Sequence, residues 1–199
     1  MYLLLDSSNK YLSVGLSDKT KVVDKIFYEA WQRQSEVMVS EIDNILKRNN
    51  LTKEDLEGIV VGIGPGSYTG VRIAITIAKT IAYALKIRVY KVSSLSLLRD
   101  PTRPTICVFN ARSGRSYFAC YDGDKTLFED RVDDNKVLLD YINKHKDYLV
   151  NGDSENIGIK SGDFDIINNL ALGIKDENLV DNIFTLNPIY LKDLMKWFL

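Results

Sequence analysis

A short glycine-rich loop joins two apolar runs of very different length in this 199-residue chain. The loop covers residues 64–72, with the sequence GPGSYTGVR, and separates an apolar run at 58–63 from a longer one at 71–87. Glycines permit positive φ angles and close approach to the backbone, and a helix that begins after them points its free N–H groups at whatever lies there. The segment therefore predicts a strand-to-helix junction, which is either a tight turn or a ligand-binding loop.

Strand and helix patterns surround this junction in the first half of the chain. A β-hairpin is expected from two apolar runs that flank a Ser-Ser-Asn-Lys turn. Apolar residues at helical spacing follow, with Ser35 as the expected N-cap and a basic pair at the carboxyl end. The elements predicted here are strands at 2–6, 12–17, 22–28, 58–63 and 88–92, and helices at 35–48, 71–85 and 93–98.

The second half repeats this mixture of strands and helices in a shorter form. Asp100, Pro101 and Pro104 interrupt the pattern and indicate a domain boundary after residue 98. Two α/β subdomains are therefore expected, residues 1–98 and a smaller one of residues 99–199. The elements predicted in the second are strands at 105–109, 116–121, 126–131 and 148–151, a helix at 135–145, and a less regular tail.

The helix predicted at 71–85 is apolar or alanine at nearly every position. Packing on a sheet hides only one face of a helix, so a helix that is apolar on all sides needs a second cover. Either another domain of the chain or another protein is expected to supply it.

Charge and composition restrict the classes of function. The chain has 45% hydrophobic and 27% charged residues, a net charge of −1 and an isoelectric point of about 5.9. Self-sufficient nucleic-acid binders usually have isoelectric points above about 9, so RNA alone is a poor match. Lys and Arg residues interrupt the longest apolar run, and cysteines are few, which predicts a cytoplasmic protein without a membrane span.

Histidine usage restricts the kinds of catalytic centre. His145 is the only histidine of the sequence, which rules out a zinc site with two histidine ligands. A Ser-His-Asp triad would depend on this one residue, in the polar segment 143–147. We therefore expect no metal site and no cofactor.

The first predicted strand ends in an acid and two serines, Asp6, Ser7 and Ser8. This beginning resembles that of actin-like and hexokinase-like nucleotide-binding folds, in which the acid coordinates a metal-bound phosphate, although an ordinary Asx turn is the alternative. The loop at 64–72 has neither the ending of a Walker A motif nor the spacing of a dinucleotide fingerprint. The contacts expected for a nucleotide at the hairpin and the loop are Asp6, Ser7, Gly64, Gly66, Ser67 and Arg72.

Residues 64–72 resemble the Gly-Pro-Gly-Ser-Phe/Tyr-Thr-Gly-Val/Leu-Arg signature of the TsaB family, also called YeaZ. Supporting segments occur in the expected order at 5–8, 34–36, 110–112 and 188–192, so that the resemblance covers essentially the whole chain. Three residues depart from the family pattern, in which histidine is usual at Gln34, aspartate at Asn110 and arginine at Lys192.

The resemblance implies an actin-like (ASKHA, RNase H-like) fold and a subunit without its own catalytic centre. It implies that the first two helices pair with TsaD, a paralogue that transfers the threonylcarbamoyl group to tRNA, and that tRNA is reached only through the complex. A TsaE-type ATPase is a further expected partner, and the chain alone is expected to form a homodimer through the same helices. The partner contacts that follow are Val37, Glu41, Asn44, Val71, Ala74, Ile75, Ala78, Ile81 and Ala82.

The hairpin predicted around residues 110–116 carries two arginines. Arg112 and Arg115 flank its turn and are expected to reach the phosphate of a nucleotide or RNA. A hairpin with this centre would also place Cys107 opposite Cys120, with both as thiols.

Two alternative functions stay open beside the resemblance. One is a nucleotide-binding actin-like enzyme, such as a small-molecule kinase that uses Asp6, and the other is an inactive peptidase homologue. If the pairing function holds, charged substitutions at Ala74, Ala78 or Ile81 are expected to abolish pairing and leave the fold intact.

Overall fold

The computed structural model describes residues 1–30 and 32–191, and Lys192 of the expected C-terminal motif lies outside them. The described part is an α/β structure with two sheets, joined by the segment between residues 92 and 105. The predicted fold class is therefore confirmed, and the two sheets are described in turn.

The first sheet consists of β1 (Tyr2–Asp6), β2 (Tyr11–Ser17), β3 (Val22–Glu29), β4 (Gly58–Gly62) and β5 (Arg88–Val92). Its strand order is β3-β2-β1-β4-β5; β2 is antiparallel to β3 and β1, and β4 is parallel to β1 and β5. Both faces of β1 are buried along its whole length, which explains its uninterrupted apolar sequence.

Two long helices pack on one face of this sheet. They are α1 (Gln34–Arg48) and α2 (Tyr68–Leu85), and their apolar stripes meet the inward-facing residues of β1 and β4 in one core.

The predicted cap of α1 is wrong. The N-cap is Arg33 and no side chain caps the helix there, so Ser35 lies inside the first turn. The helix predicted at 93–98 is only a short 3-10 turn, Ser96–Leu98.

The second sheet repeats the arrangement of the first with one strand fewer. It consists of β6 (Thr105–Arg112), β7 (Arg115–Asp122), β8 (Lys125–Asp134) and β9 (Leu149–Gly152). Their order is β8-β7-β6-β9; β7 is antiparallel to β8 and β6, and β9 is parallel to β6. The helix α3 (Asn135–Lys144) connects β8 to β9, as α1 connects β3 to β4. Two such repeats are the arrangement of an actin-like fold, and the second is shortened.

A short helix that the sequence patterns missed fills the space between the sheets. This helix, α4 (Ile166–Ala171), follows the second sheet in the chain but packs on the face of the first sheet opposite α1 and α2. The predicted boundary at residue 98 falls between the two sheets. The helix α4 lies beyond this boundary in the chain, but it packs on the first sheet.

The register of β6 and β7 separates the two cysteines. Cys107 lies opposite Ala119, and Cys120 lies opposite Ile106, one residue along each strand. Because successive side chains on a strand point to opposite faces, the predicted placement of Cys107 opposite Cys120 is wrong. Both residues are buried free thiols.

Candidate functional site

Hydrogen bonds from three segments hold the glycine-rich loop in place. Gly64 has a φ of 93° and is joined to Pro65 by a cis peptide bond. The Gly64 amide donates to Ser94 Oγ at 2.9 Å, and the Ser67 amide donates to the carbonyl of Ser8 at 2.6 Å. The Ile189 amide donates to the carbonyl of Ile63 at 2.8 Å. The loop is therefore clamped between the first hairpin, the end of β5 and the C-terminal tail.

Two glycines are required because the turn between β1 and β2 lies directly against the start of α2. A Cβ added at Gly66 would lie 2.4 Å from the Ser8 carbonyl oxygen, and one at Gly70 would lie 1.8 Å from that of Ser7. Ser7 Oγ donates back to the Gly70 carbonyl at 2.8 Å, and Ser67 Oγ caps α2 by accepting from the Gly70 amide. The signature sequence therefore encodes a close backbone contact as well as a turn.

Asp6, the acid of the first strand, is buried behind the loop and does not line the cleft between the sheets. Its carboxylate accepts hydrogen bonds from the Ser8 amide and hydroxyl and from Ser94 Oγ, at 2.9–3.1 Å. Burial raises the pKa of Asp6 to about 6 in spite of these donors. The carboxylate therefore braces the hairpin against the end of β5, and the expected contact of Asp6 with a nucleotide is corrected to a structural role.

This buried carboxyl predicts a pH-dependent effect of Asp6→Asn. Because the folded pKa lies above the ordinary value of 3.8, the folded state binds the proton more tightly, and the stability that Asp6 contributes falls as pH rises from about 4 to 6. The asparagine variant should therefore gain stability relative to wild type over this range, by up to about 3 kcal/mol. Urea unfolding of both proteins at pH 4.5 and pH 7 measures the change. The prediction would be contradicted if the two proteins differed in free energy of unfolding by the same amount at both pH values.

An open cleft of about 690 Å³ lies between the two sheets, at the end where the loop meets the β6–β7 turn. Of the residues that the sequence proposed for nucleotide or phosphate, Gly66, Ser67 and Arg112 line it. Ser7 and Gly64 serve the loop contacts described above, and Arg72 lies beside the cleft. Other lining residues, none of which was among the predicted nucleotide or phosphate contacts, are Ser8, Asn9, Lys10, Tyr68, Thr69, Phe109, Asn110, Ala111, Tyr117, Asp153, Asn156, Ile189 and Tyr190.

A stack of planar side chains stands at the edge of this cleft. The rings of Tyr68 and Tyr190 are 5.3 Å apart and nearly parallel, and Arg72 Cζ lies 4.0 Å from the centre of the Tyr68 ring. Arg72 Nε donates to the hydroxyl of Tyr190 at 2.5 Å. Tyr68 is still 58% exposed. The stack was invisible to sequence analysis because Tyr190 lies 118 residues beyond Arg72.

The predicted partner contacts on α2 divide between its two faces. Five of them are buried against the sheet, with at most 4% of their surface exposed, so they are corrected to core residues. A charged substitution at Ala74 or Ala78 is consequently no longer expected to leave the fold intact. The five are Val71, Ala74, Ile75, Ala78 and Ala82.

The remaining predicted contacts are accessible to different degrees. Asn44 is exposed, whereas Val37, Glu41 and Ile81 are half-buried. Glu41 accepts from the hydroxyl of Tyr28 at 2.9 Å and from Asn44 Nδ2 at 3.0 Å, which places it on the side of α1 towards β3.

The solvent side of α1 and α2 carries small and apolar residues that the sequence analysis did not single out. We call this surface the outer face and define it by Val39, Ile73, Thr76, Ile77 and Thr80. Val39 is 61% exposed, Thr76 and Thr80 are exposed, and the two isoleucines are half-buried. The face presents short side chains without charge over two neighbouring helices.

The C-terminal tail supplies part of the second cover expected for α2. Lys79 Nζ donates to the carbonyl of Leu186 at 3.2 Å, and the rings of Tyr83 and Phe184 meet edge to face at 5.7 Å. These contacts and the Tyr190 stack lie along the flank of α2 away from the outer face. Up to residue 191, the last that the structure describes, the tail therefore leaves the outer face uncovered.

His145 ends α3 in an aromatic cluster. Its ring lies 4.2 Å from that of Tyr141 and 4.9 Å from that of Tyr148, and Nδ1 lies 2.9 Å from the carbonyl oxygen of Tyr141. Within residues 1–30 and 32–191, no His, Cys, Asp and Glu side chains group in threes around a point that could hold a metal ion. In the same ranges, no helix has the length and apolar content needed to cross a bilayer.

Comparison with known proteins agrees with the fold and assigns the family. A Pseudomonas aeruginosa structure described as similar to the peptidase YEAZ superposes with a TM-score of 0.83 at 20% identity, over 96% of this chain and 99% of that one. At this identity the likeness shows the fold alone.

Sequence comparison is more specific. A Bacillus subtilis tRNA threonylcarbamoyladenosine biosynthesis protein TsaB is 35% identical over 69% of this chain and 62% of its own length. The chain thus spans about three fifths of that relative. An uncharacterised Mycoplasma genitalium protein is 28% identical over 96% of this chain and 94% of its own. The model of the family described as TsaD, tRNA N6-adenosine threonylcarbamoyltransferase, matches residues 28–167. The chain therefore belongs to the TsaD family and, within it, to the TsaB/YeaZ proteins.

Proposed function

We propose that this chain is a non-catalytic subunit that binds and activates a TsaD-type transferase in the biosynthesis of threonylcarbamoyladenosine in tRNA. It acts in the cytoplasm, where a TsaE-type ATPase is a further partner, and it forms a homodimer when its partner is missing. The outer face is the observation that supports pairing best, because Val39 on α1 is 61% exposed and α2 carries two exposed threonines and two half-buried isoleucines on its solvent side.

The surface fits a helix-to-helix contact with a related fold. Short uncharged side chains allow a second pair of helices to approach closely, and the half-buried isoleucines can fill the grooves between them. A paralogue with the same fold would present its own pair of helices in the same position. Two charged residues of α1, Asp43 and Lys47, form an exposed pair with each other at 2.6 Å. They stand at the carboxyl half of α1, beside the uncharged patch.

The first-strand acid argues against a kinase centre in this chain. A kinase of the actin-like class needs the carboxylate in the cleft, where it can reach a phosphate. In this structure, Asp6 is 1% exposed and accepts three hydrogen bonds from Ser8 and Ser94. The histidine that a peptidase would need packs against Tyr141 and Tyr148 at the end of α3 and does not line the cleft. Binding of a partner is therefore the better-supported function.

Pairing is tested by mixing the chain with the TsaD-type protein of the same organism and measuring the mass of the complex by light scattering and its dissociation constant by calorimetry. A one-to-one complex is expected. Thr76→Asp, which adds a charge to the outer face, should weaken it about thirtyfold or more. Val137→Asp is the matched control, because Val137 is 41% exposed on α3 of the other subdomain. The absence of a complex, or equal losses in the two variants, would refute pairing through this face.

A further inference from the structure

The planar stack and the charges of the cleft form one surface with two kinds of binding group. Tyr68 and Tyr190 belong to both the stack and the lining of the cleft. Across from them, Lys10 and Arg112 line the same cleft together with one acid, Asp153, and Lys10 Nζ also lies 3.6 Å from Glu29 Oε2. The cleft therefore combines an exposed aromatic face with positive charge, although the chain as a whole has a net charge of −1.

Arg112 is held at the cleft by an unusual backbone. Its φ is 61°, and that of Ser113 is 54°, so two consecutive residues with side chains adopt the left-handed region. The Arg112 amide donates to Asn110 Oδ1 at 2.8 Å, and the Asn110 amide donates to Asp153 Oδ2 at 3.0 Å. This chain of bonds fixes the turn and occupies the Asp153 carboxylate in part. The hairpin turn therefore holds Arg112 at the rim of the cleft.

We propose that this cleft binds a nucleotide of single-stranded RNA, with the base stacked on the open part of the Tyr68 ring and the phosphate at Arg112 and Lys10. Aromatic rings and arginine planes are the groups on which proteins stack unpaired bases, and the exposed amide of Asn156 in the lining can bond to a base edge. RNA is chosen over other nucleotide ligands because of the proposed function, on which this inference rests. It adds a direct RNA contact to a subunit otherwise expected to reach tRNA only through its partner.

The test is fluorescence anisotropy of a labelled tRNA anticodon stem-loop titrated with the full chain at low salt, without the transferase. Because the cleft carries few positive charges, we expect a dissociation constant in the range of about 1–100 µM. Tyr68→Ala should weaken it by about fivefold or more, and Tyr68→Trp, which keeps a planar ring, should restore it. Arg112→Gln should lower the slope of log affinity against log salt by about one.

Two matched variants separate this site from a general loss of structure or charge. Tyr83→Ala removes a ring from the same helix that is 67% exposed and also meets the tail, at Phe184, but lies away from the cleft. Arg33→Gln removes an exposed arginine, 71% accessible, before α1. Neither should change RNA binding, and urea midpoints confirm that each variant folds.

Four results would overturn the proposal. These are no binding by wild type up to about 100 µM, unchanged binding by Tyr68→Ala, equal losses from Tyr68→Ala and Tyr83→Ala, and binding of AMP as tight as that of the RNA. Tight binding of AMP would assign the cleft to a free nucleotide. Because the transferase is absent, RNA binding can fail while pairing holds, and pairing can fail while RNA binding holds.

Discussion

Ala78→Asp should unfold the first subdomain or bring it close to unfolding. Ala78 lies in the middle of α2 with 0% of its surface exposed, in the core that α1 and α2 form with the first sheet. A carboxyl group there has no partner, and burying it costs about 4 kcal/mol or more, against a total stability of about 5–15 kcal/mol for a typical domain. Circular dichroism and urea unfolding at pH 7 measure the loss.

Thr76→Asp is the control for this prediction, two residues earlier in the same helix. Thr76 is exposed, so the same side chain should change stability by less than about 1 kcal/mol. If Ala78→Asp instead folds as stably as Thr76→Asp, the face of α2 that meets the sheet has been assigned wrongly. The pair of variants thus decides between the core position found here and the partner-facing position predicted from sequence.

Gly70→Ala should be nearly as damaging, although it adds only a methyl group. Its Cβ would lie 1.8 Å from the Ser7 carbonyl oxygen, which is backbone and cannot rotate away. Accommodating it requires the β1–β2 turn and the start of α2 to separate, which also stretches the bond from Ser7 Oγ to the Gly70 carbonyl. We expect a loss of about 3 kcal/mol or more in the free energy of unfolding.

Gly158→Ala is the comparison for this substitution. Gly158 has a φ of 77°, but no atom lies within 4 Å of an added Cβ, so only the backbone conformation is penalised. Gly158→Ala should lower the free energy of unfolding by about 1 kcal/mol. Equal losses at Gly70 and Gly158 in urea unfolding would show that the close contact with Ser7 does not account for the glycine.

Local patterns predicted most of the strands and helices because each depends on neighbours in the chain. The spacing of apolar residues over fewer than twenty positions is enough to predict both hairpins and the two long helices. α4 was missed because six residues are too few to show a period. A signal was present in Asp165, whose carboxylate accepts from the amides of Ile167 and Asn168 and so caps the helix ahead of an apolar pair.

The site was less predictable, because its parts meet only in the folded chain. Nearly every position of α2 is apolar, so periodicity cannot show which side of the helix faces the sheet. Sequence alone therefore predicts Ala74, Ala78 and Ala82 as partner contacts, although they line the core. The stack at the cleft needs Tyr190, which the chain brings back to Tyr68 after both sheets are complete. The role of Asp6 depends on Ser94, 88 residues away.

The most direct test of the account is the rate at which the TsaD-type protein transfers the threonylcarbamoyl group to tRNA. It is measured with the transferase alone, with this chain added, and with Thr76→Asp added at the same concentration. The account predicts a slow rate alone, a rise that saturates at one chain per transferase, no rise with Thr76→Asp, and no transfer by this chain by itself. Full activity of the transferase alone, or transfer catalysed by this chain without it, would contradict the account.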